Sequence, residues 1–278
     1  MDIVSIVGFA VAFGSIALGY TMDEGDLRAL WMVSAFVITV GGSIGAVLLS
    51  SGLSQVKQMP KLMLEVFVKP KSTVGKTIEQ LVFLSKTARQ NGLLSLEKAV
   101  SEGDEKNKID PFLKRGILMV VDGTDPEKIN DILQNDIYVY EQNKGINISM
   151  FESMGAFAPA FGMIGTIVGL IQLLSAGMDD PAALTKAIGV AFITTLYGSL
   201  LANCFFLPSA TKLRSRLSVY RLEKEMIIEA VCAIRNGVNP RLLEEQLSSY
   251  LVLAPGGQAR KGRAAIAKGE RVTEASGR

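Results

Sequence analysis

The chain has 278 residues, of which 49% are apolar, with a net charge of +2 and a mean hydropathy of +0.31. Those values fit a membrane protein with a substantial aqueous portion. Histidine is absent, which excludes imidazole metal sites, histidine general bases and histidine pH switches. Cys204 and Cys232 lie in separate segments with no metal or redox spacing, so they read as two free, packed thiols.

A hydrocarbon core about 30 Å thick needs about 20 apolar residues in a helix. Four stretches qualify: 3–20, 30–49, 151–174 and 183–207. The chain opens Met1-Asp2 without a basic stretch or a small-residue cleavage site, so 3–20 reads as a retained anchor. Polar links at 21–29 and 175–182 join the spans into two hairpins, and both links must face the same side. Arg28 and Lys186 are the only basic residues in the links and spans, beside Asp23, Glu24, Asp26, Asp179 and Asp180. The remaining Lys and Arg fall within 52–150 or after Pro208, with Lys57, Lys61, Lys212, Arg214 and Arg216 near the membrane. The positive-inside rule therefore puts both termini and the large loop in the cytoplasm.

That loop reads helical. Ile78, Leu81, Val82, Leu84 and Ser85 recur at helical spacing over 74–89, and Asn91-Gly92 supplies a stop. A short helix is expected over 94–100. Asp110-Pro111 and Asp125-Pro126 each place a capping acid before a helix-starting proline, the second opening a pattern that runs towards the third span. After Pro208, residues from Leu213 to Ile234 suggest a long amphipathic helix. The segment 116–122 is the nearest candidate for a strand, and it is too isolated to convince. Val74-Gly75-Lys76-Thr77 ends like a phosphate-binding loop, but Pro70 stands where that loop requires glycine; a helix start is the better reading.

The expected fold is all-α: four transmembrane helices with a large helical cytoplasmic domain. Its segments are a first hairpin (1–51), a cytoplasmic helical domain (52–150), a second hairpin (151–209), cytoplasmic amphipathic helices (210–254) and a disordered tail (255–278).

The chemistry concentrates in the third and fourth spans. No Asp, Glu, Lys or Arg sits deep in any span, so an ion path here would be lined by neutral groups: Pro159, Thr166, Thr194 and Thr195. Any charge on such a path must come from a partner. Pro159, followed by Gly162 and Gly165, weakens the third helix, and Pro208 disturbs the end of the fourth. A static kink and a functional bend are both open for Pro159. Thr166, almost two turns on and close to the same face, either lines a path or bonds its own helix. Gly41-x-x-x-Gly45 and Gly165-x-x-x-Gly169 permit close helix approach, within one subunit or between subunits. No nucleophile–base pair, paired carboxylate or nucleic-acid surface has a supporting context, and no cofactor is expected.

Two runs carry a resemblance. Gly155-Ala156-Phe157-Ala158-Pro159-Ala160-Phe161-Gly162-Met163-Ile164-Gly165-Thr166 and Thr194-Thr195-Leu196-Tyr197-Gly198 resemble the third and fourth spans of the MotA/PomA family, the ion-channel-forming stator subunits of the bacterial flagellar motor. The similarity covers the chain apart from its tail, and Arg89-Gln90-Asn91-Gly92-Leu93-Leu94-Ser95-Leu96-Glu97 resembles the family's rotor-facing segment. The resemblance implies a homopentamer in the bacterial inner membrane around two copies of a single-span, peptidoglycan-anchored MotB/PomB-type partner whose Asp binds the permeating cation. It further implies that Pro159 lies beside that Asp, that Pro208 shapes the cytoplasmic end of the fourth span, and that Arg89 and Glu97 contact the rotor protein FliG.

Sodium-type members carry Thr at the place of Thr195, so Na⁺ near Thr166 and Thr195 is expected ahead of H⁺ as the transported ion. Asp23, Glu24, Asp179 and Asp180 either concentrate cations at the outer mouth or form a solvated loop. Two other readings stand beside this one: an ExbB/TolQ-type energiser of outer-membrane processes, which has three spans and begins outside the cytoplasm, and a non-conducting membrane scaffold.

Overall fold

The computed structural model describes residues 2–68, 74–101, 109–176 and 180–253, and among them every regular element is helical. The expected tail, and Asp179, lie outside the described residues. Helix α1 (Ile3–Met22) is followed by a 3-10 turn (Leu27–Leu30) and by α2 (33–50). Short helices α3 (Leu53–Val56) and α4 (Met59–Phe67) come next, then α5 (Val74–Asn91), α6 (Ser95–Ser101) and α7 (Pro111–Val121). The long α8 (Pro126–Ala176) and α9 (Pro181–Arg235) contain the third and fourth spans, and α10 (Pro240–Ser248) leads into a last 3-10 turn (Ser249–Leu253). Among the described residues, four helices are long and apolar enough to cross a membrane, as expected.

The segment 116–122 falls almost wholly within a helix, because Asp110 caps α7: its Oδ1 accepts from the Phe112 N–H at 2.8 Å, with Pro111 at the first position. Val74 opens α5, so the Gly75-Lys76-Thr77 run is a helix start. The second span runs from Leu27 to Ser50, with its first residues, Leu27–Leu30, wound as a 3-10 turn, Trp31 and Met32 extended, and α geometry from Val33. Two π turns interrupt the α geometry, Val37–Gly41 in α2 and Leu201–Phe206 in α9. The second precedes Pro208, whose ring cannot donate to the turn before it.

The chain divides into two compact units. One takes Met1–Lys69 and Asn143–Ser215; the other takes Pro70–Gln142 and Arg216–Arg278. Residues 52–68 group by contact with the spans. Met59–Phe67 buries Leu62 and Val66, and the Asp2 N–H donates to Phe67 O at 2.7 Å.

In the span unit, side chains on the glycine faces are replaced by backbone contact. A Cβ on Gly198 would stand 2.5 Å from Ala158 O and 3.1 Å from Pro159 Cα. On α8, a Cβ at Gly165 would meet Thr194 Cβ at 2.5 Å, and one at Gly169 would meet Ala187 O at 2.7 Å. The third and fourth spans therefore lie backbone to backbone, and Gly165-x-x-x-Gly169 serves packing inside one subunit. Gly41 and Gly45 face open space; Gly42 between them is the glycine in contact, held against the Phe161 ring. Ion pairs tie the basic ends of this unit: Lys212 to Asp2, Lys144 to Glu65 at 3.4 Å, and Arg214 to Glu152 at 2.7 Å.

The other unit encloses an apolar core. Leu81 and Leu84 from α5, Leu96 from α6, Leu113 and Ile117 from α7, Ile129 and Leu133 from α8, Met226, Ile227 and Val231 from α9, and Leu243 and Leu247 from α10 are all buried. One charge enters it. Lys224 is 4% exposed, its ammonium 2.5 Å from Asp110 Oδ2 and above the rings of Phe112 and Tyr220. Asp110 thus does two jobs with its two oxygens, capping α7 and neutralising a buried lysine.

Candidate ion-path site

Thr166 on α8 and Thr195 on α9 come together at the seam that the glycines create. Their hydroxyl oxygens are 2.6 Å apart. Thr166 Oγ1 also lies 3.2 Å from Gly162 O and 3.1 Å from Ala191 O, and Thr195 Oγ1 lies 3.3 Å from Ala191 O and 3.5 Å from Gly162 O. Gly162 permits this approach, because a Cβ there would press on Thr194 O and Thr195 Cα at 3.0 and 3.2 Å. Thr166 therefore bonds its own helix and also reaches the neighbouring one.

Proton bookkeeping shows what the cluster can do. Two hydroxyls carry two protons; one is spent between the hydroxyls and one goes to a carbonyl. The free lone pairs that remain are on the two hydroxyl oxygens, of which Thr195 is exposed, while Gly162 and Ala191 are buried and their carbonyls face the seam. That donor set suits an alkali cation, with oxygens that can stand in for lost water, but it carries no charge. For a cation to touch both hydroxyls, the hydrogen bond between them must open.

Thr194 is placed elsewhere. It is fully buried, its hydroxyl bonds Val190 O at 2.8 Å and Ala191 O at 3.0 Å, and its own carbonyl lies 3.4 Å from Thr39 Oγ1. It fills the space beside Gly165, so it belongs to the packing between spans and not to the face that presents Thr166 and Thr195. Pro159 is half-buried inside the unbroken α8, against Gly198. Pro208 follows directly on the π turn of α9.

The acidic residues of the links divide. Asp180 Oδ1 caps α9, accepting from the N–H groups of Ala182 and Ala183 at 3.0 and 3.2 Å. Asp23 and Glu24 are exposed at the end of α1, and Glu24 adopts a left-handed φ of 59°. Arg89 and Glu97 are both exposed, Arg89 in the last turn of α5 and Glu97 in the first turn of α6. Each sign complements its helix dipole at that position.

Sequence reasoning missed Tyr197, Thr39 and Ser43. The Tyr197 hydroxyl donates to Leu30 O at 2.6 Å and accepts from the Met32 N–H at 3.2 Å. It thereby satisfies the backbone where the 3-10 turn gives way to α2. Ser43 donates to Thr39 O at 2.6 Å within the π turn region. The available signal was physical: a hydroxyl inside an apolar span needs a partner.

Known proteins resemble this chain over most of its length. Residues 6–92 match the family model described as "Motility protein A N-terminal", and residues 104–226 match the "MotA/TolQ/ExbB proton channel family". Motility protein A of Borreliella burgdorferi is 38% identical over 90% of this chain and 94% of its own length. The chain belongs to the MotA/PomA family of flagellar stator proteins. Chemotaxis protein PomA of Vibrio alginolyticus is 34% identical over 90% of this chain and 96% of its own. A solved structure of C. jejuni MotAB superposes with a TM-score of 0.83 at 29% identity, covering 93% of this chain and 98% of that one. As a MotA/PomA family member, the chain has a flagellar stator role, coupling ion flow to torque.

Proposed function

We propose that this stator subunit forms a Na⁺ path whose charged element is supplied by a MotB/PomB-type partner. The observation that carries the reading is the Thr166–Thr195 oxygen cluster, which is neutral and lies on a membrane span. Solved relatives described as MotAB support the partner; five copies of this chain around two of the partner, with both termini cytoplasmic, follow from the family pattern and the basic loop flanks. The partner's carboxylate supplies the charge, Thr166 and Thr195 supply oxygens, and Pro159 presents an apolar, donor-free turn beside them.

One charge crossing 100 mV releases about 2.3 kcal/mol. Neutralising the partner's acid removes its preference for one subunit face, so the partner helices step against the ring. No hydrolytic chemistry is needed. Arg89 and Glu97 pass the step to the rotor protein FliG.

The test is cation flux through the reconstituted complex, with swimming measured against external Na⁺ at fixed pH. Thr195→Val and Thr166→Val should each lower Na⁺-dependent flux while the complex still assembles. Flux that persists unchanged without Na⁺, or in both variants, overturns the sodium assignment. Reversing the charges of Arg89 and Glu97 should reduce torque with flux intact; full torque would remove them from the rotor contact.

A further inference from the structure

Just after the second span the chain presents a face, part basic and part apolar, that nothing among the described residues covers. Lys57 and Gln58 keep right-handed helical dihedrals, so α3 winds into α4 with little break. At about 100° per residue, Leu53, Lys57, Lys61 and Leu64 fall within roughly 80° of one another, opposite the buried Leu62 and Val66. All four are exposed, Leu53 by 71% and Leu64 by 68%. The face also has a fixed height. The second span ends at Ser50, directly before α3, and the Asp2 N–H at the start of α1 donates to Phe67 O at the end of α4. The Phe67 ring meets Phe9 of α1 edge-on, with centroids 6.2 Å apart. Both short helices thus sit where two spans leave the hydrocarbon, at the level of lipid headgroups. Charge there is one-sided. Glu65 is the only acid in residues 52–68, and it pairs with Lys144 at 3.4 Å. Among the described residues neither Lys57 nor Lys61 has a carboxylate partner.

We propose that this face binds an acidic glycerophospholipid, with the headgroup phosphate between Lys57 and Lys61 and the acyl chains along Leu53 and Leu64. Side chains one helical turn apart have Cβ atoms about 6 Å from each other, so two flexible lysine stems can converge on one phosphate. A soluble anion would satisfy the ammonium groups and leave both leucines in water; a lipid covers all four residues. An acidic lipid, unlike a zwitterionic one, brings no cation of its own to oppose the lysines, so the site selects by headgroup charge. The lipid would brace the first hairpin at its base, because Asp2 is joined both to Phe67 and to Lys212 of α9. This surface is separate from the threonine pair and takes nothing from the ion assignment.

The experiment places the full chain with its MotB/PomB-type partner in nanodiscs of equal phosphatidylglycerol and phosphatidylcholine, and native mass spectrometry counts the lipids each complex keeps. The parent should keep phosphatidylglycerol in preference. Lys57→Gln and Lys61→Gln should each lower that preference about fivefold, the share of one lysine at an anionic surface, and the double glutamine variant should abolish it. Lys57→Arg combined with Lys61→Arg keeps the charge and should keep the preference. Lys186→Gln removes an exposed lysine near the start of α9 and should change nothing. A parent without preference, a preference that survives in the double glutamine variant, or its loss in the double arginine variant overturns the proposal. An equal loss in Lys186→Gln assigns the effect to bulk charge and overturns it too. If the glutamine variants shed copies of the chain instead of lipid, the face is a contact between subunits and the proposal falls.

Discussion

Helix α1 buries none of its residues, whereas α5, two residues shorter, buries seven. The two units solve the same problem in opposite ways. The unit built on α5 closes its large apolar side chains on one another and is finished as a single chain. The span unit brings two helices together through glycine and backbone, and leaves Ile3, Val4, Val11, Leu18, Phe192 and Leu174 bare. In water such a surface would drive aggregation; in a bilayer lipid covers it, and apolar burial no longer drives helix association. Backbone fit and a few hydroxyl bonds then carry specificity. The lesson is that the span unit should be sensitive at positions with no side chain, and the other unit at positions with large or charged ones.

The sharpest way to break this contrast is at Gly198. Gly198→Val places atoms within the space held by Ala158 O and Pro159 Cα, and neither can yield without moving α8. Overpacking of this kind costs about 1–3 kcal/mol in ordinary cores and more against rigid backbone. The variant should fail to accumulate as an assembled complex, scored by size-exclusion of detergent extracts. Gly14→Ala, where nothing lies within 4 Å, should behave as the parent. If both accumulate equally, the seam is looser than described.

In the other unit the matching break is electrostatic. Asp110→Ala strips the partner from an ammonium that is 4% exposed and removes the α7 cap at the same time. Breaking a buried pair costs about 3–5 kcal/mol, and losing a cap adds about 1 kcal/mol. Asp110→Asn keeps the capping oxygen and should cost less. Lys224→Met keeps the volume and removes the buried charge, so it should cost least of the three. Protease resistance of the full chain in detergent ranks them; a reversed order would show that Lys224 is held by the Phe112 and Tyr220 rings rather than by Asp110.

The same contrast decides what the sequence could disclose. The second unit was legible because Asp110-Pro111 and the helical spacing of Ile78, Leu81 and Leu84 are local signals, set by capping and periodicity. The four spans were legible from length alone. The pairing of Thr166 with Thr195 was implied by the family resemblance alone: it depends on a seam whose register is fixed by Gly162, Gly165 and Gly198 together, and no local pattern states which turn faces which. Thr194 and Thr195 are neighbours in sequence, yet one is sealed and the other exposed, because adjacent residues on a helix point about 100° apart. Likewise the π turn before Pro208 emerges only from the competition between the proline ring and helix continuity.

The smallest effect sharpens the comparison through pH. Burial, aided by Tyr140, Asp110, Glu223 and Asp136, pushes the Tyr220 hydroxyl up from 10.0 to about 12. The fold therefore favours the protonated phenol: the stability this contributes is whole below pH 10.0 and is lost as pH rises through about 12. Burial raises the Cys232 thiol, and burial with Glu229 raises Tyr250, so all three push the alkaline limit in one direction. Tyr220→Phe removes one of them and should flatten the alkaline loss of helicity, followed by circular dichroism, without abolishing it. The hydroxyl clusters described in the span unit carry threonines and a serine that do not titrate in this range. If the slope is unchanged in Tyr220→Phe, the alkaline transition starts outside the Lys224–Tyr220 cluster and the assignment of that limb to the closed core is wrong.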